Sequence, residues 1–247
     1  SVFLCEVNAQ EHPKAEIAFV SVRDGKCDIY VMDVDGNILR NLTKHHRGYQ
    51  SIAWSHDGQK IAFSVSEDRN GVGYTDIFVI KADGSGEVNL TDGSGVSHSP
   101  TWSPDGKKIT FMYVKFIEDI GIYSMDSDGK HFQRLTSYIN DGAPFWSSDG
   151  QTILFASDRD EKGNMDIYVM NPDGENIRRL TNNPAQDGYP RLSPDGSKIA
   201  FVSYREGNMP KIFIMNVDGT NVHRLSDEYL GRHFEPSWSP DGHYIAF

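Results

Sequence analysis

The chain has 247 residues, with 24 Lys or Arg against 35 Asp or Glu and a formal net charge of −11 at pH 7. That balance excludes a protein that tracks phosphate backbones with a clustered basic surface, and a content of 38% hydrophobic and 11% aromatic residues excludes wholesale disorder. No apolar run approaches the roughly 18 to 20 residues of a membrane span, and SVFLCEVNAQ has no basic region leading into a long apolar stretch.

The lack of an initiator Met suggests a processed chain or a cut fragment. Cys5 and Cys27 are too few for a disulfide scaffold or a four-Cys zinc site and read as small core residues, with a single disulfide between them left open.

Taken in chain order, the elements repeat. Residues 2 to 9 are followed by Ile17 to Phe19, an alternating segment DIYVM from Asp28, and NLT ending at Thr43. The next copy opens with WSHDG at Trp54 and continues with Ile61 to Phe63, DIFVI from Asp76 and NLT ending at Thr91. Later copies run through Trp102, Trp146, Leu192 and Trp238, each leading into Ser-x-Asp-Gly, and then through Ile109, Ile153, Ile199 and Ile245. Successive isoleucines lie 44 to 48 residues apart.

Each segment holds four to six residues, is rich in β-branched and aromatic types and is bounded by Asp-Gly, so it reads as a strand. In Ser-Pro-Asp-Gly the proline presets φ, the Asp bonds local backbone and the Gly takes φ > 0. Four strands per period of about 45 residues, with no helical periodicity between them, predict an all-β fold: a β-propeller of four-stranded antiparallel blades. One domain over 1–247 is expected, with blade repeats near 12–43, 49–91, 97–136, 141–181, 187–226 and 233–247. The preferred count is six blades with the last incomplete. Residues 2 to 9 then supply a degenerate first strand to blade one, or residues 2 to 7 close blade six from the other terminus.

The indels separate two faces. From the Trp or Leu of the first strand to the Ile of the second is 7 residues in all five complete copies, and the third-to-fourth spacing, as from Met32 to Leu42, is always 10. From the Phe of the second strand to the aromatic residue of the third, the spacing runs from 11 to 15. Length variation thus falls in the second-to-third loop, on one face of an up-and-down blade. Binding is expected on that diversified face, because function concentrates on variable loops held by a rigid scaffold.

The repeats P-x-W-S-P-D-G, I-A-F, D-I-Y-V-M, D-G and R-L-T resemble those of the TolB-type, WD40-like propeller family over about residues 12 to 247. The resemblance implies a propeller and, from TolB itself, a periplasmic protein whose propeller binds a peptidoglycan-associated lipoprotein around the channel mouth. TolB's N-terminal α/β domain is not expected within this sequence. Similar repeats form the propellers of tricorn and prolyl-oligopeptidase-like proteases and of oligogalacturonate lyases, so fold alone does not choose among these functions.

First strands enter from the diversified face, which puts their leading residues at the channel mouth. Five positions before the Trp or Leu stand Tyr49, Ser97, Asp141, Asp187 and His233; four before stand Gln50, His98, Gly142, Gly188 and Phe234, with Glu235 next. The partner-binding candidates are Tyr49, His98, Asp141, Asp187, His233, Phe234 and Glu235 with the loop aromatic Tyr189, since tyrosines are favoured anchors for protein partners. The same His and carboxylate set is the metal site of the alternative reading.

Acidic stretches such as MDVDGN from Met32 lack the twelve-residue ligand spacing of calcium loops and fall at hairpins, so they read as turns. The loop from Asp158 to Asp166 is the alternative site for a divalent cation such as calcium; otherwise no cofactor is expected. No G-x-S-x-G elbow offers a nucleophile. Trp54, Trp102, Trp146 and Trp238 recur at one blade position and read as packing between blades, and the N-L-T sequons at Asn41 and Asn89 belong to the strand repeat.

The sequence therefore predicts a soluble, non-enzymatic propeller, periplasmic or extracellular, that binds a protein or peptide and no nucleic acid. The alternatives are a metal-dependent polysaccharide lyase or hydrolase and the gating propeller of a larger peptidase.

Overall fold

A computed structural model describes residues 2–8, 16–23, 25–43, 48–69, 72–93, 95–116, 119–226 and 235–247. Strands and turns account for the described elements, and no helix occurs among them. Strands β1 (Val2–Asn8), β2 (Glu16–Arg23), β3 (Lys26–Asp33) and β4 (Ile38–Asn41) form the first antiparallel sheet. The second holds β5 (Gly48–Trp54), β6 (Lys60–Arg69), β7 (Val72–Lys81) and β8 (Val88–Asn89). The third holds β9 (Val96–Trp102), β10 (Lys108–Val114), β11 (Ile120–Asp126) and β12 (Gln133–Arg134), and one parallel pairing of Thr75 with Val96 joins it to the second. The fourth holds β13 (Gly142–Trp146), β14 (Ile153–Ser157), β15 (Asp166–Met170) and β16 (Arg178–Arg179). The fifth holds β17 (Asp187–Leu192), β18 (Lys198–Ser203), β19 (Lys211–Asn216) and β20 (His223–Arg224), and β21 (Ser237–Trp238) pairs with β22 (Ile245–Ala246).

Each four-stranded sheet is a meander in chain order. The first strands β1, β5, β9, β13, β17 and β21 neighbour one another in turn, and β1 also neighbours β21, so this inner ring closes. Cys5 pairs with Phe19 and Val7 with Ile17, which makes residues 2–8 the first strand of blade one. Cys27 is a free thiol packed against the first core cluster.

Two local devices explain why the repeat motif folds as it does. In the first turn Ser103 Oγ donates to Asp105 Oδ1 at 2.7 Å and accepts from the Lys108 N–H at 2.9 Å, while Asp105 Oδ1 accepts from the Lys107 N–H at 3.1 Å. The arrangement recurs from Ser193, where the Ser193 hydroxyl and the Ser197 N–H pull the Asp195 carboxyl down to about 2. At the fourth strand, Thr91 Oγ1 donates to the buried Asp76 carboxylate at 2.8 Å and accepts from the Ile77 N–H at 3.0 Å. Asn89 Nδ2 donates to the second oxygen of Asp76 at 3.0 Å. Asn41, Asp28 and Thr43 repeat this triad, and Arg179 takes the Asn place against Asp166. The N-L-T motif is therefore an internal hydrogen-bonding unit that ties the third strand to the fourth.

Between blades, the indole N–H of Trp102 donates to the Ala53 carbonyl at 3.1 Å, that of Trp146 to Thr110 Oγ1 at 2.9 Å, and that of Trp238 to the Arg191 carbonyl at 3.0 Å. Each of these tryptophans thus reaches the preceding blade, as its sequence position suggested. The core itself is carried by Phe19, Phe63, Phe111, Phe155 and Phe201 of the second strands, all fully buried. Such a ring contributes roughly 1.5–3 kcal/mol on burial. The turn glycines complete the contact: at Gly219, φ is 90° and a Cβ would lie 2.5 Å from the Leu180 carbonyl oxygen of the blade before.

Candidate functional site

The inner strands enclose a channel with two mouths. On the uniform face a cavity of about 390 Å³ is lined by Trp54, Trp102, Trp146 and Trp238 with prolines of the first turns such as Pro104 and Pro194. On the diversified face the cavity is larger, about 620 Å³, and its walls include His98, Met112, Ile139, Met165, Tyr189 and Glu235. Between the two lies a waist of about 20 Å³, where Ser51, Ser99, Ala143, Tyr189, Arg191 and Glu235 converge.

A repeated backbone feature builds this waist. Ser99, Ala143, Tyr189 and Glu235, each three residues before the Trp or Leu of its blade, have φ of 50°, 49°, 52° and 49°. In β9, β13 and β17 the ladder register shifts at this point, a bulge that interrupts strand pairing. A left-handed residue other than glycine costs roughly 1–2 kcal/mol, and these four are held at equivalent places in successive blades. All four line both the mouth and the waist, so the bulge re-aims one residue per blade into the channel.

The sequence candidates separate into scaffold and lining. Tyr49 is 7% exposed and packs its ring 5.7 Å from that of Phe63, so the expectation that it faces a partner is corrected: it belongs to the core. Asp141 and Asp187 do line the mouth, but each is buried and held from behind. Arg159 Nη2 donates to Asp141 Oδ2 at 2.7 Å, and Arg205 Nη2 to Asp187 Oδ2 at 2.7 Å. Arg205 is itself fixed by Ser203 Oγ at 2.8 Å and lies over the rings of Phe201 and Phe213 at 5.3 and 4.9 Å. Arg159 repeats this with Ser157, Phe155 and Tyr168. These are buried Asp–Arg–aromatic units that brace the first strand against the second-to-third loop. Burial pushes the Asp187 carboxyl up, against the pull of Ser203 and of the Arg205 guanidinium.

The remaining described candidates are channel lining. His98 is half-buried, and burial holds its imidazole below the ordinary range, so it is neutral at pH 7. Tyr189 is 38% exposed; burial of its phenol and the nearby Glu235 raise its pKa. Burial pushes the Glu235 carboxyl up to about 7, with Arg191 pulling the other way. His233 and Phe234 lie outside the described residues.

The loop offered as a calcium alternative spends its carboxylates on protein donors. Asp158 accepts from Asn140 Nδ2 at 3.0 Å and from the Gly163 N–H at 2.7 Å, and Asp166 is held by Thr181 and Arg179. Among the described residues no group of three or more His, Cys, Asp or Glu side chains is placed to hold a metal ion. Met112, Met165 and Arg191 line the channel without any cue in the repeat motif.

Residues 12–137 and 140–247 match the family model of the TolB beta propeller domain. A curated relative, the Protein TolB homolog of Chlorobium luteolum, is 29% identical over 195 residues, which cover 78% of this chain and 33% of the relative. The chain thus spans about a third of that relative's length. Among solved structures, the putative TolB from Agrobacterium tumefaciens superposes with a TM-score of 0.79 at 27% identity, covering 97% of this chain and 88% of that one. TolB from Acinetobacter baumannii gives 0.75 at 24% identity, covering 91% and 54%. An oligogalacturonate lyase in complex with manganese shares the fold alone, with a TM-score of 0.61 and 14% identity over 93% of this chain and 81% of that one. With the repeat matched along nearly its whole length, the chain belongs to the TolB β-propeller domain family.

Proposed function

We propose that this propeller is a non-enzymatic binding module that takes a protein or peptide partner in the mouth of its diversified face. The observation that carries this reading is the lining of the 620 Å³ cavity: Met112, Ile139, Met165 and Val202 supply apolar walls, and the half-exposed Tyr189 stands among them. Methionines adapt to irregular partner surfaces, and tyrosine offers a rigid apolar face with a polar tip. The scaffold beneath is over-determined by the tryptophan bonds and the Asp–Arg–aromatic units, which suits preorganised binding. Similarity to proteins named TolB supports a setting in the bacterial cell envelope, on its periplasmic side; no helix is long and apolar enough to cross a membrane.

A polysaccharide lyase is the second reading, favoured by the shared fold of the manganese-bound lyase and by His98 in the mouth. The test pans a displayed peptide library on the immobilised chain and counter-selects on a His98→Ala/Tyr189→Ala variant, with oligogalacturonate and manganese chloride assayed in parallel. Peptides captured by the wild type and lost on the variant are the expected result. Turnover of oligogalacturonate without such peptides overturns the proposal.

A further inference from the structure

The lining of the mouth is acidic. Among its described residues no lysine or arginine is present, whereas three carboxylates are: Asp141, Asp187 and Glu235. Asp141 and Asp187, 0% and 1% exposed, each give one oxygen to an arginine behind the wall and belong to its frame. Glu235 lines the cavity floor and the waist below, and among the described residues no hydrogen bond or ion pair holds it. Arg191, which shares the waist with it, lies over the Phe145 ring at 5.1 Å and donates to the Pro190 carbonyl at 3.1 Å. His98, neutral through burial, adds no competing charge.

A carboxylate in a half-dry cavity calls for a cation. The walls above Glu235 are apolar, from Met112, Met165 and Ile139, which suits a group with an aliphatic stem and a charged head. We infer that the mouth receives a lysine or arginine side chain of the partner, stem against the methionines and cationic head on Glu235 at the floor. The waist of about 20 Å³ stops the side chain there, since it admits little more than one water-sized group. This inference rests on the peptide-binding reading for the source of the side chain, and the site can be tested apart from it.

The probes are N-acetyl-lysine methylamide and its uncharged counterpart N-acetyl-norleucine methylamide, titrated into the full chain at pH 8 and followed by NMR. The lysine probe is expected to bind at least tenfold more tightly, and the advantage is expected to vanish in Glu235→Gln. It is also expected to shrink in the wild type at pH 6, a comparison that needs no variant to fold. Equal affinity for the two probes, a preference unchanged in Glu235→Gln, or binding of calcium chloride at the mouth without binding of the lysine probe each overturns the inference. Because the probes are single residues, losing the charge preference leaves captured peptides standing as support for peptide binding. A lysine preference without captured peptides leaves the site and removes the peptide reading.

Discussion

Replacing Asp187 by Ala isolates the brace that the mouth depends on. The carboxylate side chain is fully buried and the Arg205 side chain is 16% exposed, so the substitution strands a guanidinium between Phe201 and Phe213 with its 2.7 Å partner gone. Breaking one half of a buried pair costs roughly 3–5 kcal/mol. The two rings and the Ser203 hydroxyl stay in place, so the low end, about 3 kcal/mol, is expected. At roughly 2–4 °C per kcal/mol for a chain of this size, the melting temperature falls by about 6–12 °C. The burial that raises the Asp187 carboxyl also means that the intact pair carries a desolvation penalty. The double variant Asp187→Ala/Arg205→Met is therefore less damaged than the sum of the single variants, by about 2 kcal/mol. Urea unfolding followed by tryptophan fluorescence, in a double-mutant cycle, measures both quantities. A loss below about 1 kcal/mol for the single variant, or strict additivity, refutes the account of the brace.

Other positions give independent checks. Gly219→Ala forces a Cβ to 2.5 Å from the Leu180 carbonyl as well as a left-handed φ, so a loss of about 2–4 kcal/mol is expected; Gly36→Ala, at a similar φ with open space around it, is expected to lose only about 1–2. Equal losses in thermal unfolding would contradict the inter-blade role of Gly219. Thr91→Val removes the donor to Asp76 and the acceptor of the Ile77 N–H together, and is expected to cost about 1–3 kcal/mol by the same measurement. A folded-state Glu235 carboxyl at about 7 lies above the ordinary value of 4.5, so between those values the folded state holds the extra proton and stability falls as pH rises. Glu235→Gln is expected to flatten the pH dependence of stability over that window, and an identical profile for both proteins would count against the placement of Glu235.

The blade architecture was legible because its parts have chemical signatures repeated in the chain: Ser-x-Asp-Gly, Ile-x-Phe, alternating D-I-Y-V-M, and N-L-T or R-L-T. The tryptophans were read as inter-blade packing for the right reason, since a fixed place ahead of a fixed turn leaves them the same neighbour in each blade. Asp141 and Asp187 were placed at the mouth, yet their burial went unread. Its signal was present, an Arg 18 residues later with a Ser two before it, but strand pairing is needed to see that those positions face each other. Tyr49 sits at the same repeat position as these aspartates and is buried with them, so an aromatic there is core and not an anchor. Ser99, Ala143, Tyr189 and Glu235 share a local mark that went unread, the proline that follows each of them and restricts its backbone, whereas Ser51, at the same place but followed by Ile52, is not left-handed. The methionines of the mouth come from different strands and loops and share no spacing, so only the closed ring brings them together.

The proposed binding mode puts the partner at the diversified mouth and not at the tryptophan-lined one. The most direct measurement is the affinity of one library-selected peptide for Tyr189→Ala and for Pro240→Ala, one residue from each mouth, both checked for unchanged unfolding. Binding to Tyr189→Ala is expected to be at least tenfold weaker, with wild-type affinity for Pro240→Ala. Loss on Pro240→Ala with Tyr189→Ala unaffected would contradict it.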